Sequence, residues 1–142
     1  MVFSTKDRLP LIDPEIRPHL HAYIATILRN ISPPQSHPYR VGGVADHVHI
    51  ACTLPRTVTI SKLFEITKKE SSVWIKKQGA KYENFYWQAG YGNFSVAPSQ
   101  LDQLIGYIEN QEKHHQTVSF QDEFREFLNK YQIEYDERYV WD

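Results

Sequence analysis

Apolar residues return at helical spacing in four stretches of this chain, and short β-prone runs lie between them. From Pro14 to Asn30 the apolar positions are Ile16, Leu20, Tyr23, Ile24, Ile27 and Leu28, one face of a helix. Asp13 suits the N-cap and Pro14 the first helical position, and Pro33 and Pro34 would stop the helix. Tyr39–Val44 and His47–Leu54 read as two strands joined tightly at Ala45 and Asp46. The Gly42-Gly43 pair predicts a bulge or a close backbone approach. Ser61–Gln78 reads as a second helix closed by Gly79. Val2–Thr5 suits the end of a strand, and Tyr86–Gly92 and Asn93–Ala97 are short, glycine-broken β-prone pieces ended by Pro98. Ser99 with Asp102 opens a third helix whose stripe is Leu101, Leu104, Ile105 and Ile108. Ser119 with Asp122 opens a fourth, with Phe120, Phe124, Phe127, Leu128 and Tyr131 on its apolar side. The aromatic, acidic tail Tyr135–Asp142 is expected to pack back on the domain.

The resulting order is strand, helix, strand, strand, helix, strand, helix, helix. A β-α-β-β-α-β core is the ferredoxin-like (RRM-like) pattern of the α+β class, here followed by C-terminal helices. It predicts an antiparallel sheet with helices on one face and the other face free for a partner. The 142 residues suit one compact domain, 1–142, and not comfortably two.

Composition changes this picture little. Hydrophobic residues make up 41% and charged residues 23%, as in an ordinary globular protein. The one cysteine, Cys52, allows no disulfide within the chain, which fits a reducing, cytoplasmic setting. No apolar stretch approaches the roughly 20 residues of a membrane span, and the opening Met-Val-Phe-Ser-Thr-Lys lacks the layout of a signal peptide. The net charge of -1 argues against a strongly basic nucleic-acid binder, but it hides an uneven distribution. Residues 61–81 carry six bases and two acids, whereas residues 100–142 carry four bases and ten acids.

Two features carry candidate chemistry. His47-Val48-His49 sits on a predicted strand, where alternate side chains share a face, so the two imidazoles project together while Val48 turns to the core. Paired neutral imidazoles are natural metal ligands, but two donors are too few, and such a pair also arises by chance. Tyr107 and Gln111, four residues apart, share a face of the third helix, with Gln111 at the edge of the apolar stripe. Read singly, Tyr107 is one of nine tyrosines and Gln111 a solvated helix residue. Taken together they suggest a mechanism. A phenol with a pKa near about 10 is a poor nucleophile at neutral pH. A divalent cation that draws charge from a phosphate and stabilises the leaving 3′-oxygen would let Tyr107 attack and become a phosphotyrosine. Gln111 would add an uncharged oxygen to the two histidines. The covalent link conserves the bond energy, so a later 3′-hydroxyl could reseal the strand without ATP.

The strand Asp46-His47-Val48-His49-Ile50, with Tyr107-Ile-Glu-Asn-Gln111-Glu-Lys-His-His115 following 58 residues after His49, resembles the HUH single-tyrosine transposases of bacterial insertion sequences, the IS200-like family. The resemblance covers nearly the whole chain, including Val2-Phe-Ser-Thr-Lys6-Asp-Arg8 and Phe85-Tyr-Trp-Gln-Ala-Gly-Tyr91. It implies His47, His49 and Gln111 as ligands of Mg²⁺ or Mn²⁺ and Tyr107 as the nucleophile. It further implies single-stranded DNA substrates with hairpin ends and a homodimer, with active sites that can be shared between subunits. One departure is that Met1 falls almost on the Val-Phe-Ser-Thr stretch, which usually has several residues before it; a shortened interior strand is the expectation.

Further residues are candidates for DNA contact. Lys62, Lys69 and Lys76 lie seven apart on one helix face, where lysines give phosphate affinity without reading sequence, though a solvated face looks the same. Lys6 and Arg8 are candidates for phosphate contact, and His114 for contacting DNA or positioning the phenol. Trp87 and Tyr91 are candidates for stacking on bases, while Trp74 reads as core. Asp46 reads as a turn residue with its side chain directed away from the histidine pair. Two other readings keep the fold: a domesticated hairpin-DNA nuclease at chromosomal repeats, and a hairpin-DNA-binding protein without catalysis. A two-histidine phosphodiesterase needs two His-X-Thr/Ser motifs; His115-Gln-Thr117 supplies one and His47-Val-His49 does not supply the other.

Overall fold

The computed structural model describes residues 1–31 and 35–142, so the expected stop at Pro33 and Pro34 lies outside the described residues. The elements are β1 (Val2–Ser4), α1 (Arg17–Arg29), β2 (Pro38–Gly43), β3 (His47–Cys52), α2 (Ile60–Lys76), α3 (Leu101–Glu109), α4 (Gln111–His114) and α5 (Phe120–Lys130). The three strands form an antiparallel sheet in the order β1-β3-β2.

The expected last strand of the ferredoxin-like core is present in reduced form. Val2 and Gly92 exchange both backbone hydrogen bonds, Thr5 bridges Trp87, and Gln88 N–H donates to Ser4 O at 2.9 Å. Residues 87–92 thus run along the free edge of β1, the place that the β-α-β-β-α-β order assigns to the last strand. Regular pairing lapses between the bridges at Trp87 and Gly92.

Strand alternation divides the side chains of β3 between two faces. Val48 and Ile50, with Phe3 opposite Val48, face α1 and α2 and join Leu20, Ile24, Leu28, Leu63, Phe64 and Ile75 in the main core. Each such buried aliphatic side chain stabilises the fold by about 1.5–3 kcal/mol. Helices α2 and α5 start at side-chain caps, whereas α3 follows a tight turn at Pro98–Gln100 with no side-chain cap, so the box expected at Ser99 and Asp102 does not form. Thr59 accepts from Lys62 N at 3.1 Å and Ser119 from Asp122 N at 3.1 Å. Asp13 Oδ1 accepts from Ile16 N at 3.0 Å, although regular α1 begins only at Arg17, with residues 14–16 forming a turn.

The second face of the sheet is not free, contrary to the expectation from the core pattern. The chain's own α3 lies over β2 and β3, and α4 and α5 continue the cover. Apolar stripes on those helices need a surface to bury, and the nearest one is the unoccupied side of the sheet. Gly42 permits the approach: a Cβ there would lie 2.6 Å from Ile108 Cγ2 and 2.8 Å from the Ile108 carbonyl. The glycine pair therefore marks a close approach, while the register irregularity of β2 falls between Pro38 and Arg40.

The tail returns to the domain through Trp141. Its carbonyl accepts from Arg8 at 3.4 Å, and Arg125 lies over its ring at 4.9 Å.

Candidate active site

His47 and His49 leave β3 on the face covered by α3, α4 and α5, and both are buried there. Above them, α3 and α4 are separated only by Asn110 at a slight break, so Tyr107 and Gln111 stay on one side. Gln111 is buried instead of lying at a stripe edge, with its Oε1 3.2 Å from His47 Nε2. Histidine pair, tyrosine and glutamine meet within a single chain.

Three further residues belong to the centre. Glu123, on α5, is 1% exposed. One carboxylate oxygen is 2.7 Å from His49 Nε2, and the other accepts a hydrogen bond from the Tyr107 hydroxyl. His115 Nε2 lies 3.0 Å from both Gln111 Oε1 and Glu123 Oε2. Asp46 Oδ1 accepts from His47 Nδ1 at 2.7 Å, so its side chain turns toward the pair and not away as expected. The β2–β3 turn ends at Asp46, outside the strand alternation that predicted its direction. Two of these residues had a readable signal. His115 follows Gln111 at helical i+4 spacing, and Glu123 is an acid inside the apolar stripe of α5.

The electrostatics follow from this packing. Burial works against charge on His47, but hydrogen bonds to Asp46 and Glu123 outweigh it and raise its pKa well above the ordinary value. For His49 burial dominates over the Glu123 contact, and its pKa falls. Burial would raise the Glu123 carboxyl, yet hydrogen bonds from His115, His47 and His49 hold it far below the usual carboxylate range. Burial, and then the hydrogen bond to Glu123, push the Tyr107 phenol upward, so the resting residue is neutral.

His114 touches the centre from its rim, with Nε2 3.3 Å from the Tyr107 hydroxyl and 3.1 Å from Glu123. A cleft of about 740 Å³ opens onto His49, Tyr107 and Glu123, with Tyr39, Phe94 and Tyr131 among its walls.

The other sequence candidates lie elsewhere. Lys62, Lys69 and Lys76 are on α2, across the sheet from the histidines. Lys62 pairs with Glu65 at 3.1 Å, Lys69 is exposed, and Lys76 sits over the Tyr86 ring at 4.1 Å. Lys6 is exposed, while Arg8 is engaged with Trp141. Trp87 is packed against Phe3 and Phe85 and donates to Ser71 Oγ. Trp74 stacks on Tyr23, and Tyr91 on Phe64.

The donor set fits a divalent cation. Ligating atoms of His47, His49, His115 and Glu123 all lie within 4.8 Å of one another, and Gln111 Oε1 reaches the same space.

Residues 1–111 match the family described as Transposase IS200 like. The chain belongs to this family. An IS200-like transposase is a DNA-acting enzyme, and the buried histidine–glutamate cluster is consistent with metal dependence. Tyr107 and Gln111 fall inside the matched residues, and His115 and Glu123 beyond them. Among solved structures, the fold is similar to a protein of Deinococcus radiodurans R1 provisionally described as a transposase, at 21% identity and a TM-score of 0.53, covering 78% of this chain and 86% of that one. No curated protein matches the sequence. Among the described residues, no helix of this IS200-like chain is long and apolar enough to cross a membrane.

Proposed function

We propose that residues 1–142 form a single-domain tyrosine transposase that cuts and rejoins single-stranded DNA at insertion-sequence ends. The observation that carries this reading is the convergence of Tyr107, His47, His49 and Gln111 at one buried centre with a cleft leading to it. His47, His49 and Gln111 would hold Mg²⁺ or Mn²⁺. When bound, the ion would neutralise charge on the scissile phosphate and the leaving 3′-oxygen.

The remaining steps use the chain's own groups. Asp46 fixes the His47 ring through Nδ1 and leaves Nε2 free to ligate. Helices α3 and α4 keep Tyr107 and Gln111 together, and the hydrogen bond to Glu123 aims the phenol oxygen. That oxygen gives up its proton and attacks phosphorus, the bond from phosphorus to the 3′-oxygen breaks, and the 3′-oxygen leaves as a hydroxyl with a proton returned by the group that took the phenolic one. His114 Nε2, 3.3 Å from the hydroxyl, is the acceptor proposed for the phenolic proton, while the ionised Glu123 holds the phenol in place. Rejoining reverses the exchange: an incoming 3′-hydroxyl attacks the 5′-phosphotyrosine and the phenol is released.

The substrate proposed is single-stranded DNA with hairpin ends, handled by a cytoplasmic homodimer. Geometry within one chain favours a site completed in each subunit over one shared between them. Lys6, Arg8, Lys62, Lys69, Lys76 and His114 are the proposed DNA contacts, His114 nearest the chemistry.

The test is incubation of the full chain with labelled single-stranded DNA from the flanks of its gene, with and without Mn²⁺. A covalent adduct that requires both the ion and Tyr107 is expected. An adduct formed by Tyr107→Phe would overturn the assignment of the nucleophile. Binding of hairpin DNA without any adduct in Mn²⁺ or Mg²⁺ would support a non-catalytic binder instead.

A further inference from the structure

Two rings at the centre are held from behind through Nδ1 and turn Nε2 inward. His115 Nδ1 lies 2.6 Å from the Val118 carbonyl, which can only accept, so Nδ1 carries a proton. His47 Nδ1 likewise donates to Asp46. With Nδ1 engaged in this way, each ring turns Nε2 inward: His115 Nε2 lies 3.0 Å from Gln111 Oε1 and from Glu123 Oε2, and His47 Nε2 lies 3.2 Å from Gln111 Oε1 and 3.5 Å from Glu123 Oε1. The ligating atoms of His47, His49, His115 and Glu123 lie within 4.8 Å of one another, close enough for one cation to be held by all four.

We infer that His115 and Glu123 are ligands of the same ion as His47 and His49, so that the α4–α5 segment completes the metal site. The inference rests on the reading above that the β3 histidines bind a divalent ion, and it deepens that reading. Separations of 2.7–3.5 Å between the nitrogens and the Glu123 and Gln111 oxygens approach those between neighbouring ligands whose bonds to a common ion are about 2.1 Å. The rings are held as ligating histidines are, with Nδ1 bonded to a carboxylate in one ring and to a backbone carbonyl in the other.

This donor set has a consequence for the choice of ion. Three imidazoles and one carboxylate suit a first-row transition ion, whereas Mg²⁺ prefers oxygen ligands and keeps its waters. Mn²⁺ is therefore expected to bind at least tenfold more tightly than Mg²⁺. Glu123 also joins the ion to the nucleophile, because its other oxygen receives the Tyr107 hydrogen bond.

The experiment is Mn²⁺ titration of the full chain by calorimetry, with pulsed electron paramagnetic resonance to count imidazole nitrogens on the bound ion. Three histidines are expected on the wild-type protein, a count that needs no variant. His115→Gln should reduce the count to two, and His115→Gln and Glu123→Gln should each weaken Mn²⁺ binding by about tenfold or more. Circular dichroism checks that both variants are folded. A wild-type count of two, with both variants binding as tightly as wild type while His47→Ala does not bind, overturns the inference and leaves the two-histidine reading standing. Undiminished binding by His47→Ala and His49→Ala instead removes the metal site of that reading. Failure of the reaction itself is seen separately, as an absent DNA adduct in a protein that binds the ion as described.

Discussion

Glu123 Oε1 lies 2.7 Å from His49 Nε2, joining an acid on α5 to a histidine on the middle strand across 74 residues of sequence. Its other oxygen accepts from Tyr107. One carboxylate thus ties the C-terminal helices to the histidine face and fixes where the phenol sits. Removing it should loosen all three parts. In the metal-free protein, Glu123→Ala is expected to lower stability by about 1–3 kcal/mol near neutral pH, the cost of leaving buried hydrogen-bonding groups of His49, His115 and Tyr107 without their partner. Chemical denaturation with EDTA present measures this, and a loss below about 1 kcal/mol would show that the centre tolerates the missing charge.

Asp46→Asn tests how far the ligand is held from behind. An amide that presents its oxygen can still accept from His47 Nδ1, but the supporting negative charge is gone. Mn²⁺ affinity or strand cleavage should fall about 10–100-fold with the fold intact. Unchanged cleavage would make Asp46 the simple turn residue that its sequence position suggests.

The two lysine types on α2 should separate cleanly. Lys68 Nζ donates to the carbonyls of Gln88 at 2.8 Å, Ala89 at 3.2 Å and Gly90 at 2.8 Å, and burial lowers its pKa to about 8. Lys68→Met should cost about 1–3 kcal/mol of stability by stripping those carbonyls of a charged donor. Lys69→Ala should leave stability unchanged, and, where the lysine face meets phosphate, reduce the salt dependence of DNA binding by about one ion. Binding measured across salt concentrations, beside denaturation, distinguishes the two.

The pH response has a component remote from the site. Burial, followed by the charges of Arg17 and Arg40, lowers the His21 pKa from 6.5 to about 4, and its Nε2 has no partner. The unfolded chain therefore binds a proton in this interval that the folded chain refuses. His21 costs nothing above pH 6.5, and stability declines as pH falls toward 4, by at most about 3 kcal/mol before allowance for its partial exposure. His21→Leu should flatten this arm of a stability-versus-pH curve; an unaltered slope would place the titration elsewhere.

Gly42→Ala probes the approach of α3 to the sheet. The added methyl meets both the side chain and the carbonyl of Ile108, one residue from Tyr107. A loss of about 1–3 kcal/mol is expected from overpacking, with weaker Mn²⁺ binding as Gln111 is displaced. Wild-type stability and metal affinity would mean that α3 shifts without consequence.

The local pattern was enough to place most of this architecture. Periodicity found α1, α2, α3 and α5, and the alternation His47-Val48-His49 put both imidazoles on one face, because strand geometry depends only on neighbours along the chain. The i+4 relation of Tyr107 and Gln111 is of the same kind. Sequence also shows that an acid interrupts the α5 stripe at Glu123. What only the tertiary structure decided is which surface that stripe would bury. Packing α3, α4 and α5 on the second face of the sheet turned Glu123 and His115 from helix residues into neighbours of His47 and His49, and turned Gln111 inward. Contacts of this kind depend on the choice between two apolar surfaces far apart in sequence, which no local spacing records.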